Sequence, residues 1–229
     1  MRIGGLQKMT LLDYPGKVAC TVFLPGCNFR CPYCHNSALV LPERMEAGFP
    51  QQELLDFLET RKGKLDGVCI TGGEPTIHRD LPELIGRIRS LGFLVKLDTN
   101  GSNPVMLQKL MEDRAIDYVA MDIKNSPQMY AATCGNPFLL EKVEQSVQLL
   151  MEGSVGFEFR TTVCKPLHTQ QSMTRLGRWI QGTEKYYIQN FQDSGSLVGS
   201  GMKGFSQQEL DQLLQAVKPW VPAAQLRGI

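Results

Sequence analysis

Three cysteines carry the clearest chemical signal in the sequence, because they fall within eight residues of one another: Cys27, Cys31 and Cys34. A cubane iron–sulfur cluster normally takes four cysteine thiolates, so a set of three leaves one iron open to coordinate a small molecule. The spacing therefore favours a reactive iron–sulfur cluster. A zinc ion held by the same thiolates and His35 is the alternative, although adjacent Cys34 and His35 are awkward ligands for one tetrahedral ion.

A buried strand must deliver these thiols, because the run Val18–Leu24 is β-branched and aromatic and ends at Pro25-Gly26. Residues 25–36, which we call the cluster loop, then follow the carboxyl end of that strand. In α/β folds this edge of the sheet is where ligands bind. The sequence therefore predicts a cofactor site at the cluster loop.

The stretch Cys27–Cys34 has the order Cys-x3-Cys-x-Tyr-Cys and resembles the signature of radical S-adenosylmethionine (SAM) enzymes. Tyr33 stands directly before the third cysteine, as an aromatic residue does in that signature. The continuation Cys34-His35-Asn36 resembles the activating enzymes of glycyl-radical proteins. Over most of its length the chain is similar to the family of anaerobic ribonucleoside-triphosphate reductase activating proteins.

This resemblance implies a 4Fe–4S cluster on the three cysteines, with SAM bound beside it and near Tyr33. It implies reductive cleavage of SAM to methionine and a 5′-deoxyadenosyl radical, with the electron supplied by a donor such as flavodoxin or ferredoxin. The radical would remove a hydrogen from the Cα of one glycine in a partner glycyl-radical enzyme, expected here to be an anaerobic ribonucleotide reductase. A radical SAM enzyme that acts on a small molecule, as in deazapurine synthesis, is the second hypothesis.

The composition is that of an ordinary globular chain, with 229 residues, 42% hydrophobic and 21% charged, and it suits one domain spanning 1–229. The formal net charge of +1 provides no basic field for nucleic acid and no polybasic patch for a membrane. The first residues lack the apolar run of a signal peptide, and no stretch is long enough to span a membrane. Seven cysteines without an export signal favour a reducing cytoplasm.

Strand-like and helix-like segments alternate along the chain. Six such units predict a parallel sheet with outer helices. Because six units fall short of a closed (β/α)8 barrel, we expect an open, partial (β/α)6 barrel, which the resemblance also implies. The predicted strands are Val18–Leu24, Gly67–Thr71, Phe93–Asp98, Tyr118–Ile123, Gly156–Val163 and Lys185–Asn190. The predicted helices are Gln51–Arg61, Leu81–Ser90, Pro104–Asp113, Phe138–Met151, Met173–Gln181 and 206–218.

Three helix starts carry capping signals. Asp80 is placed to cap the second of these helices, and Asn103 to cap the third. Ser206 and Glu209 form a capping-box pattern for the last helix.

The second strand ends in Gly72-Gly73-Glu74-Pro75. Glycines let a ligand approach the backbone closely, although a plain tight turn explains such a motif equally well. The motif resembles the Gly-Gly-Glu-Pro segment of radical SAM enzymes. The resemblance implies that Gly72, Gly73 and Glu74 hold the amino group of SAM.

The third and fourth strands also end in polar residues. The loop Asp98, Thr99, Asn100 resembles the same loop in the pyruvate formate-lyase activating enzyme, where the first two residues help to hold a monovalent cation beside SAM. Asp122 and Lys124 share one face of the fourth strand, and an ordinary surface ion pair is the alternative explanation. By resemblance, Asp122 joins the cation site and Lys124 reaches SAM or the substrate loop.

The fifth strand places Glu158, Arg160 and Thr162 on one face. An arginine inside a barrel needs an anionic partner, because an unpaired buried charge is costly. The carboxylate of SAM and Glu158 are the two candidates. Gln189 and Asn190 on the sixth strand are weaker candidates for contact with the adenine edge.

Two segments outside the strand ends are assigned to the partner. Asp13 in Leu12–Lys17 resembles a residue of the Asp-Gly-Pro-Gly segment of other activases, and we predict that it contacts the partner's glycine loop across the barrel mouth. Residues 194–204, which we call the Gly/Ser segment, contain four glycines and three serines. Such a segment has little apolar surface with which to order itself, so we predict that it is mobile until a partner binds.

The remaining cysteines and two histidines receive no functional role. No Cys-x-x-Cys pair exists among these cysteines, so no auxiliary cluster is expected. The cysteines predicted as buried or isolated thiols are Cys20, Cys69, Cys134 and Cys164, and the histidines predicted to lie on the surface or in loops are His78 and His168.

Overall fold

The structure, a computed structural model, describes residues 1–193 and 195–228. Ser194, the first residue of the Gly/Ser segment, and Ile229, the last residue of the predicted domain, lie outside the described residues. Every structural statement below concerns the described part of the chain.

The strands and helices alternate through most of the chain. The strands are β1 (Arg2–Ile3), β2 (Gly5–Thr10), β3 (Ala19–Leu24), β4 (Phe49–Pro50), β5 (Gly67–Gly72), β6 (Leu94–Thr99), β7 (Tyr118–Asp122), β8 (Gly156–Val163), β9 (Tyr186–Asn190) and β10 (Gln225–Arg227). The α-helices are α1 (Ser37–Val40), α2 (Gln51–Glu59), α3 (Leu81–Ser90), α4 (Pro104–Glu112), α5 (Pro127–Cys134), α6 (Leu140–Glu152), α7 (Gln170–Trp179) and α8 (Gln207–Val217). Short 3₁₀ turns lie at Pro42–Arg44 and Pro75–Ile77.

Eight of these strands form one sheet in the order β2-β3-β5-β6-β7-β8-β9-β10. Only β2 runs antiparallel to its neighbour, whereas the pairs from β3 to β10 are parallel. In the described residues β2 and β10 are not paired with each other, so the sheet is open. The six predicted strands form its centre, which confirms the predicted open, partial (β/α)6 barrel.

The core lies between this sheet and the helices on its outer face. In β5, Val68, Cys69 and Ile70 are fully buried, as expected for a parallel strand covered on both faces. The helices bury one stripe each, and α2 does so with Leu54, Leu55 and Leu58. None of the described helices combines the length and the apolar character that crossing a membrane requires.

Several short elements were missed by the sequence analysis, because none has a clear hydrophobic period. The edge strand β2 has three exposed residues in a row, and β10 is only three residues long. Helix α5 carries apolar residues all round its axis and ends at Gly135, whose φ is +69°. The Cβ of any other residue there would lie 2.9 Å from the carbonyl oxygen of Arg30 in the cluster loop.

The capping predictions had mixed outcomes. The Asn103 side chain accepts from Met106 N, and Ser206 and Glu209 form the predicted capping box. The prediction that Asp80 caps α3 is wrong, because its side chain makes no capping hydrogen bond. The Asp80 carboxylate lies 3.3 Å from the amino nitrogen of Met1 instead.

The Gly/Ser segment is docked in its described part, 195–204, so the prediction that it lacks the contacts to order itself is wrong. Leu197 and Met202 pack against the core. Gly199 N donates to Pro32 O of the cluster loop at 2.8 Å. The described part of the segment therefore has contacts with which to order itself, and its mobility before a partner binds stays a prediction.

Candidate functional site

The carboxyl ends of the parallel strands and the cluster loop enclose a cavity of about 280 Å³. The residues predicted for the site line this cavity, except Glu74, Asp13 and Asn190. The predicted residues that line it are Cys27, Cys31, Tyr33, Cys34, Gly72, Gly73, Asp98, Thr99, Asn100, Asp122, Lys124, Arg160 and Gln189.

The cluster loop is fastened to its neighbours mainly through backbone groups. Arg30 N donates to Cys134 O at the end of α5, at 2.8 Å. Pro32 O accepts from Gly199 N of the Gly/Ser segment, also at 2.8 Å. The Asn36 amide donates to the last carbonyl of β5 at 3.0 Å. Three separate elements thus fix the loop that carries the thiols.

The thiols of the cluster loop lie in an apolar setting. Burial raises the pKa of Cys27 to about 11 and the pKa of Cys31 to about 12. The positive charge of Lys124 lowers the pKa of both thiols but does not offset burial. Metal coordination takes the thiolate form, so loading a cluster here releases protons.

Tyr33 provides an independent sign that the cavity accommodates a polar group. Its side chain is 4% exposed and lines the cavity. Its hydroxyl is buried and has no hydrogen-bond partner among the described residues. Burial raises the pKa of this hydroxyl far above its usual range, so it is a neutral donor. A buried hydroxyl without a partner is costly, and a bound polar molecule would satisfy it.

The two glycines of the second strand end allow backbone to pack on backbone. A Cβ at Gly73 would lie 1.8 Å from Gly26 O in the cluster loop, and Gly72 adopts a φ of +114°. Gly73 N donates to Leu24 O at 2.8 Å. These glycines therefore seat the end of β5 against the cluster loop, and both also line the cavity.

Glu74 turns away from the cavity, so the direct contact with SAM that the resemblance implied does not fit its position. Its carboxylate is fully buried and accepts from Thr76 N at 3.0 Å, Thr99 Oγ1 at 2.7 Å and Asn100 N at 2.6 Å. Burial raises the pKa of Glu74, and these donors oppose that rise. The carboxylate ties the glycine motif to the loop after β6 and so shapes the cavity from behind.

Five charged residues at the ends of β6, β7 and β8 form what we call the ion network. Arg160 Nη2 lies 3.2 Å from Asp98 Oδ2, and Arg160 Nε lies 3.0 Å from Asp122 Oδ1. Lys124 Nζ lies 3.0 Å from Asp122 Oδ2, and Lys96 Nζ pairs with Asp98 Oδ1. The network explains why a buried arginine is tolerated inside the barrel.

The ion network fixes the charge of its members. Burial alone would raise the pKa of Asp122, but Arg160 and Lys124 lower it to about 2. Burial would lower the pKa of Lys124, but Asp122 and nearby thiols raise it well above its usual value. Both side chains are therefore ionised at neutral pH.

The suggestion that Glu158 neutralises Arg160 is wrong. Glu158 is 1% exposed and binds Arg227 through both of its oxygens, at 2.7 and 3.1 Å. Tyr118 also donates to it at 3.2 Å. The two-residue period of a strand shows which side chains share one face of it. The ion pairs of Glu158 and Arg160, however, are made with side chains of adjacent strands.

His168 lies in the loop between β8 and α7, as one of its two predicted positions allowed, but it is buried at 3% exposure, so the surface alternative is wrong. Its Nε2 lies 2.9 Å from Lys124 O, and its Nδ1 accepts from Cys164 N at 3.1 Å. This pattern requires the tautomer with the proton on Nε2. Burial lowers the pKa of His168, so the ring is neutral and anchors the backbone of Lys124.

Asp13 does not line the cavity. Its carboxylate accepts from Thr21 Oγ1 at 2.5 Å. Thr21 precedes the end of β3 at Leu24 by three residues, which corresponds to about 10 Å along the strand. Asp13 therefore faces the barrel interior below the carboxyl edge rather than the barrel mouth.

Sequence reasoning missed several residues that shape the cavity. Asn28 links the cluster loop to the loop after β6, since it accepts from Asn100 at 3.0 Å and donates to Ser102 Oγ at 2.8 Å. Its position between Cys27 and Cys31 was the only available signal in the sequence. Asn190, predicted to contact adenine, instead binds the backbone of Phe205 at 2.8 and 2.9 Å. The further lining residues that were not predicted as contacts are Phe29, His35, Asn36, Val40, Thr71 and Thr162, whereas Gln189, a predicted adenine contact, does line the cavity.

The four thiols outside the cluster loop are buried, and His35, the fourth ligand of the zinc alternative, contacts an aromatic ring. Cys20, Cys69, Cys134 and Cys164 are all buried free thiols, as predicted. Among the described residues, no three Cys, His, Asp or Glu side chains form a group that could hold a single metal ion. The His35 ring stacks on Phe191 with a centroid distance of 5.2 Å.

The comparison with protein families is decisive. The profile of the Radical SAM superfamily matches residues 21–166. The chain belongs to the radical SAM superfamily. The matched region extends from β3 past the end of β8, and it contains every residue that lines the cavity except Gln189.

Individual relatives agree with this membership. A Methanocaldococcus jannaschii protein named as a glycyl-radical enzyme activating enzyme is 31% identical over 198 residues, which are 83% of this chain and 80% of that protein. A 7-carboxy-7-deazaguanine synthase of Aquifex aeolicus is 36% identical over 80 residues, 34% of each chain. Streptococcus suis SuiB bound to precursor peptide SuiA superposes with a TM-score of 0.71 at 15% identity, over 91% of this chain and 48% of that chain. This chain spans about half the length of such solved structures, and that likeness concerns the fold alone.

Membership makes this chain a radical SAM enzyme and implies a 4Fe–4S cluster and SAM as its cofactors. The residues present fit both groups. Three thiols line one cavity, Tyr33 lines it and has an unsatisfied buried hydroxyl, and the backbone at Gly72 and Gly73 leaves no side chain in the way.

Proposed function

We propose that this radical SAM enzyme is an activating enzyme for a glycyl-radical enzyme, with an anaerobic ribonucleotide reductase as its protein substrate. The observation that carries the proposal is the 31% identity to a protein named as such an activating enzyme, because it extends over 83% of the chain. The open sheet supports it, since β2 and β10 leave a gap through which a loop of another protein can reach the cavity.

When bound, the cluster and SAM supply a 5′-deoxyadenosyl radical through one-electron reduction of the sulfonium. The chain's own residues bind, orient and enclose the reactants. Cys27, Cys31 and Cys34 hold the cluster, and Lys124 presents a fixed positive charge that suits the carboxylate of SAM. The unsatisfied Tyr33 hydroxyl donates to a polar atom of the bound molecule.

Glu74 does not line the cavity and affects the reactants only through the residues that it holds. By holding Thr99 and Asn100 it fixes the loop that lines the cavity next to the glycine motif. Because hydrogen abstraction needs the reacting atoms at close, aligned distance, such positioning contributes to the rate. We therefore assign Glu74 a positioning role and leave direct binding of SAM to the lining residues.

We retain Asp13 as a candidate contact for the partner, now from inside the barrel. The Asp13→Ala variant should lose partner activation to a greater extent than it loses SAM cleavage without a partner. A variant of its hydrogen-bond donor, Thr21→Val, is the matched control. If both variants lose the two activities in parallel, Asp13 only supports β3.

The deciding experiment mixes the reduced, cluster-loaded protein with SAM and an anaerobic ribonucleotide reductase under strict anaerobiosis. A glycyl-radical doublet in the electron paramagnetic resonance spectrum, with one 5′-deoxyadenosine formed per radical, is the expected result. Flavodoxin and ferredoxin are compared as reductants in the same assay. SAM cleavage without any radical on the partner would contradict the proposed substrate.

A radical SAM enzyme for a small molecule is the second candidate, because the Aquifex aeolicus synthase shares 36% identity over a third of the chain. It predicts that a pterin or purine precursor accelerates SAM cleavage and that a glycyl-radical partner does not. Iron and sulfide analysis of the anaerobically purified protein separates both candidates from a zinc protein.

A further inference from the structure

The two carboxylates at the ends of β6 and β7 are bridged by one guanidinium. Arg160 donates through Nη2 to Asp98 Oδ2 at 3.2 Å and through Nε to Asp122 Oδ1 at 3.0 Å. These strands are adjacent in the sheet, and the register pairs Asp122 directly with Arg160 on β8. The bridge is therefore built by the parallel register and not by a flexible surface contact.

Every oxygen of the two carboxylates is already engaged. Lys96 Nζ takes the remaining oxygen of Asp98, and Lys124 Nζ takes the remaining oxygen of Asp122 at 3.0 Å. A hard cation binds through several oxygen ligands, so here it would have to share these oxygens with the ammonium and guanidinium groups that already donate to them, or displace one of those groups. The donor set expected for a monovalent cation is thus present but fully occupied by side chains.

The net charge of these side chains also disfavours a bound metal cation. Two carboxylates face three cationic groups, which leaves one positive charge in excess. The side chains of Lys96, Asp98 and Arg160 are only 1%, 13% and 16% exposed. A metal cation would add to the excess positive charge of this partly desolvated network, and the network would repel it. An anion would instead neutralise that excess charge.

We propose that Arg160 is a positioning residue that takes the place of a bound monovalent cation, so that this enzyme binds SAM without sodium or potassium. The inference rests on the proposed function to the extent that the cavity must bind SAM. The guanidinium of Arg160 occupies the place of the cation expected beside the loop Asp98-Thr99. The excess positive charge of the ion network then faces the carboxylate of SAM.

The test measures the affinity of the cluster-loaded, unreduced protein for SAM by equilibrium dialysis, where no cleavage takes place. Sodium and potassium are replaced by N-methyl-D-glucamine at equal ionic strength. The wild-type dissociation constant should change by less than about twofold between the three cations. The Arg160→Met variant should bind about tenfold more weakly in N-methyl-D-glucamine and recover most of that loss in sodium or potassium.

Two further variants make the outcome specific. Arg160→Lys keeps a tethered cation and should remain insensitive to the buffer cation. Arg87→Met removes a half-buried arginine that donates to Gln52 outside the cavity, and it should behave as the wild type. Recovery by a small cation is a readout that loss of folding cannot produce, and circular dichroism checks each variant.

A wild-type affinity that falls in N-methyl-D-glucamine overturns the inference, even if the protein activates its partner. An Arg160→Met variant that stays weak in all three cations also overturns it, because Arg160 then contacts SAM or supports the fold directly. A wild type that binds SAM equally in all three buffers but generates no glycyl radical leaves the inference standing and contradicts the proposed function. A wild type that binds no SAM overturns both.

Discussion

The cluster loop and the ion network face each other across one cavity, yet they are held by different forces. The cluster loop is fixed by backbone hydrogen bonds to α5 and to the Gly/Ser segment and by the side-chain amide of Asn36 on the last carbonyl of β5. The ion network is fixed by side-chain charges that meet between three parallel strands. The first depends on close approach of backbones, and the second on strand register and electrostatics.

This difference decides how each region responds to change. Backbone packing tolerates almost no added volume, because the neighbouring atoms cannot rotate away. Charged side chains can repack and are screened in part by solvent. We therefore expect substitutions at the cluster loop to have larger effects than substitutions in the ion network.

The largest effect should come from the thiols themselves. Changing Cys27, Cys31 or Cys34 to Ala should abolish cluster binding and SAM cleavage, since each change removes one of the three proposed ligands. Cluster content is measured by iron and sulfide analysis and by the charge-transfer absorption. The Cys164→Ala variant is the control, because that thiol is buried and does not line the cavity. Loss of the cluster from this control would show that the ligand assignment is wrong.

The next effect concerns the contact between the glycine motif and the cluster loop. Gly73→Ala places a Cβ 1.8 Å from a backbone oxygen of Gly26, so the two segments must separate. We expect a stability loss of about 1–3 kcal/mol and a fall in SAM affinity of about tenfold or more, measured by thermal melting and equilibrium dialysis.

Gly86→Ala is the matched control for this substitution. Gly86 lies within α3, and a Cβ there would meet nothing within 4 Å. The change should stabilise the protein by up to about 1 kcal/mol through helix propensity and leave SAM affinity unchanged. Equal losses of stability and SAM affinity from the two substitutions would mean that the close contact between Gly73 and Gly26 has no special importance.

Much of the fold could be predicted because each central element carries its own local signal. The bounds of Gly156–Val163 and Leu81–Ser90 were predicted as they are observed, since the strand alternates polar and apolar or aromatic residues and the helix buries Leu81, Leu84, Ile85 and Ile88 at helical spacing. The strands β2 and β10 lie at the two edges of the sheet and have no apolar period. Their places depend on pairing with distant segments, which no local pattern records.

The residues of the site also divide into those that local motifs predict and those whose contacts depend on other strands. The cysteines, the glycines and the loop after β6 were predicted to lie together because their motifs end consecutive strands. The partner of Arg160 was not predicted, since it depends on which side chains of β6 and β7 stand beside it. The burial of His168 was missed for the same reason, because its partner Lys124 is 44 residues away. Contacts within a motif can be read from a sequence, whereas contacts between strands require the register.

The ion network should show a smaller effect that depends on pH. Asp122→Asn removes the carboxylate shared by Arg160 and Lys124 and should cost about 1–2 kcal/mol, discounted because this side chain is 34% exposed. The pKa of Asp122 is lowered to about 2 in the fold, from about 3.9 when unfolded. Its contribution is therefore complete above roughly pH 5 and is lost as the pH falls toward 2.

Denaturant unfolding of wild type and Asp122→Asn between pH 3 and pH 7 measures this difference. The difference in the free energy of unfolding between the wild type and Asp122→Asn should be constant near neutral pH. It should decrease at acid pH, with the pH dependence of a single carboxyl group. Asp113→Asn, in an exposed pair with Lys109, is the control and should cost little at any pH. A gap that widens on acidification would contradict the lowered pKa.

The smallest effect on SAM chemistry should come from the Gly/Ser segment, which touches the cluster loop from outside. A Cβ at Gly199 would lie 2.7 Å from the Cβ of Pro32, so Gly199→Val should lift the segment away while the thiols stay in place. SAM cleavage without a partner should change by less than about threefold, because the segment does not line the cavity.

Amide hydrogen exchange reports the release of the segment directly. In the wild type, residues 195–204 should be partly protected, since Gly199 N donates to Pro32 O and Lys203 pairs with Lys165 through the backbone. Gly199→Val should remove that protection and lower glycyl-radical formation on the partner, if the docked segment forms part of the surface that the partner meets. Ser200→Val, a change of similar bulk at the exposed neighbouring position, should do neither. Normal partner activation by a Gly199→Val protein whose segment has become unprotected would remove the segment from the partner interface and leave the cluster loop dependent on α5 and β5 alone.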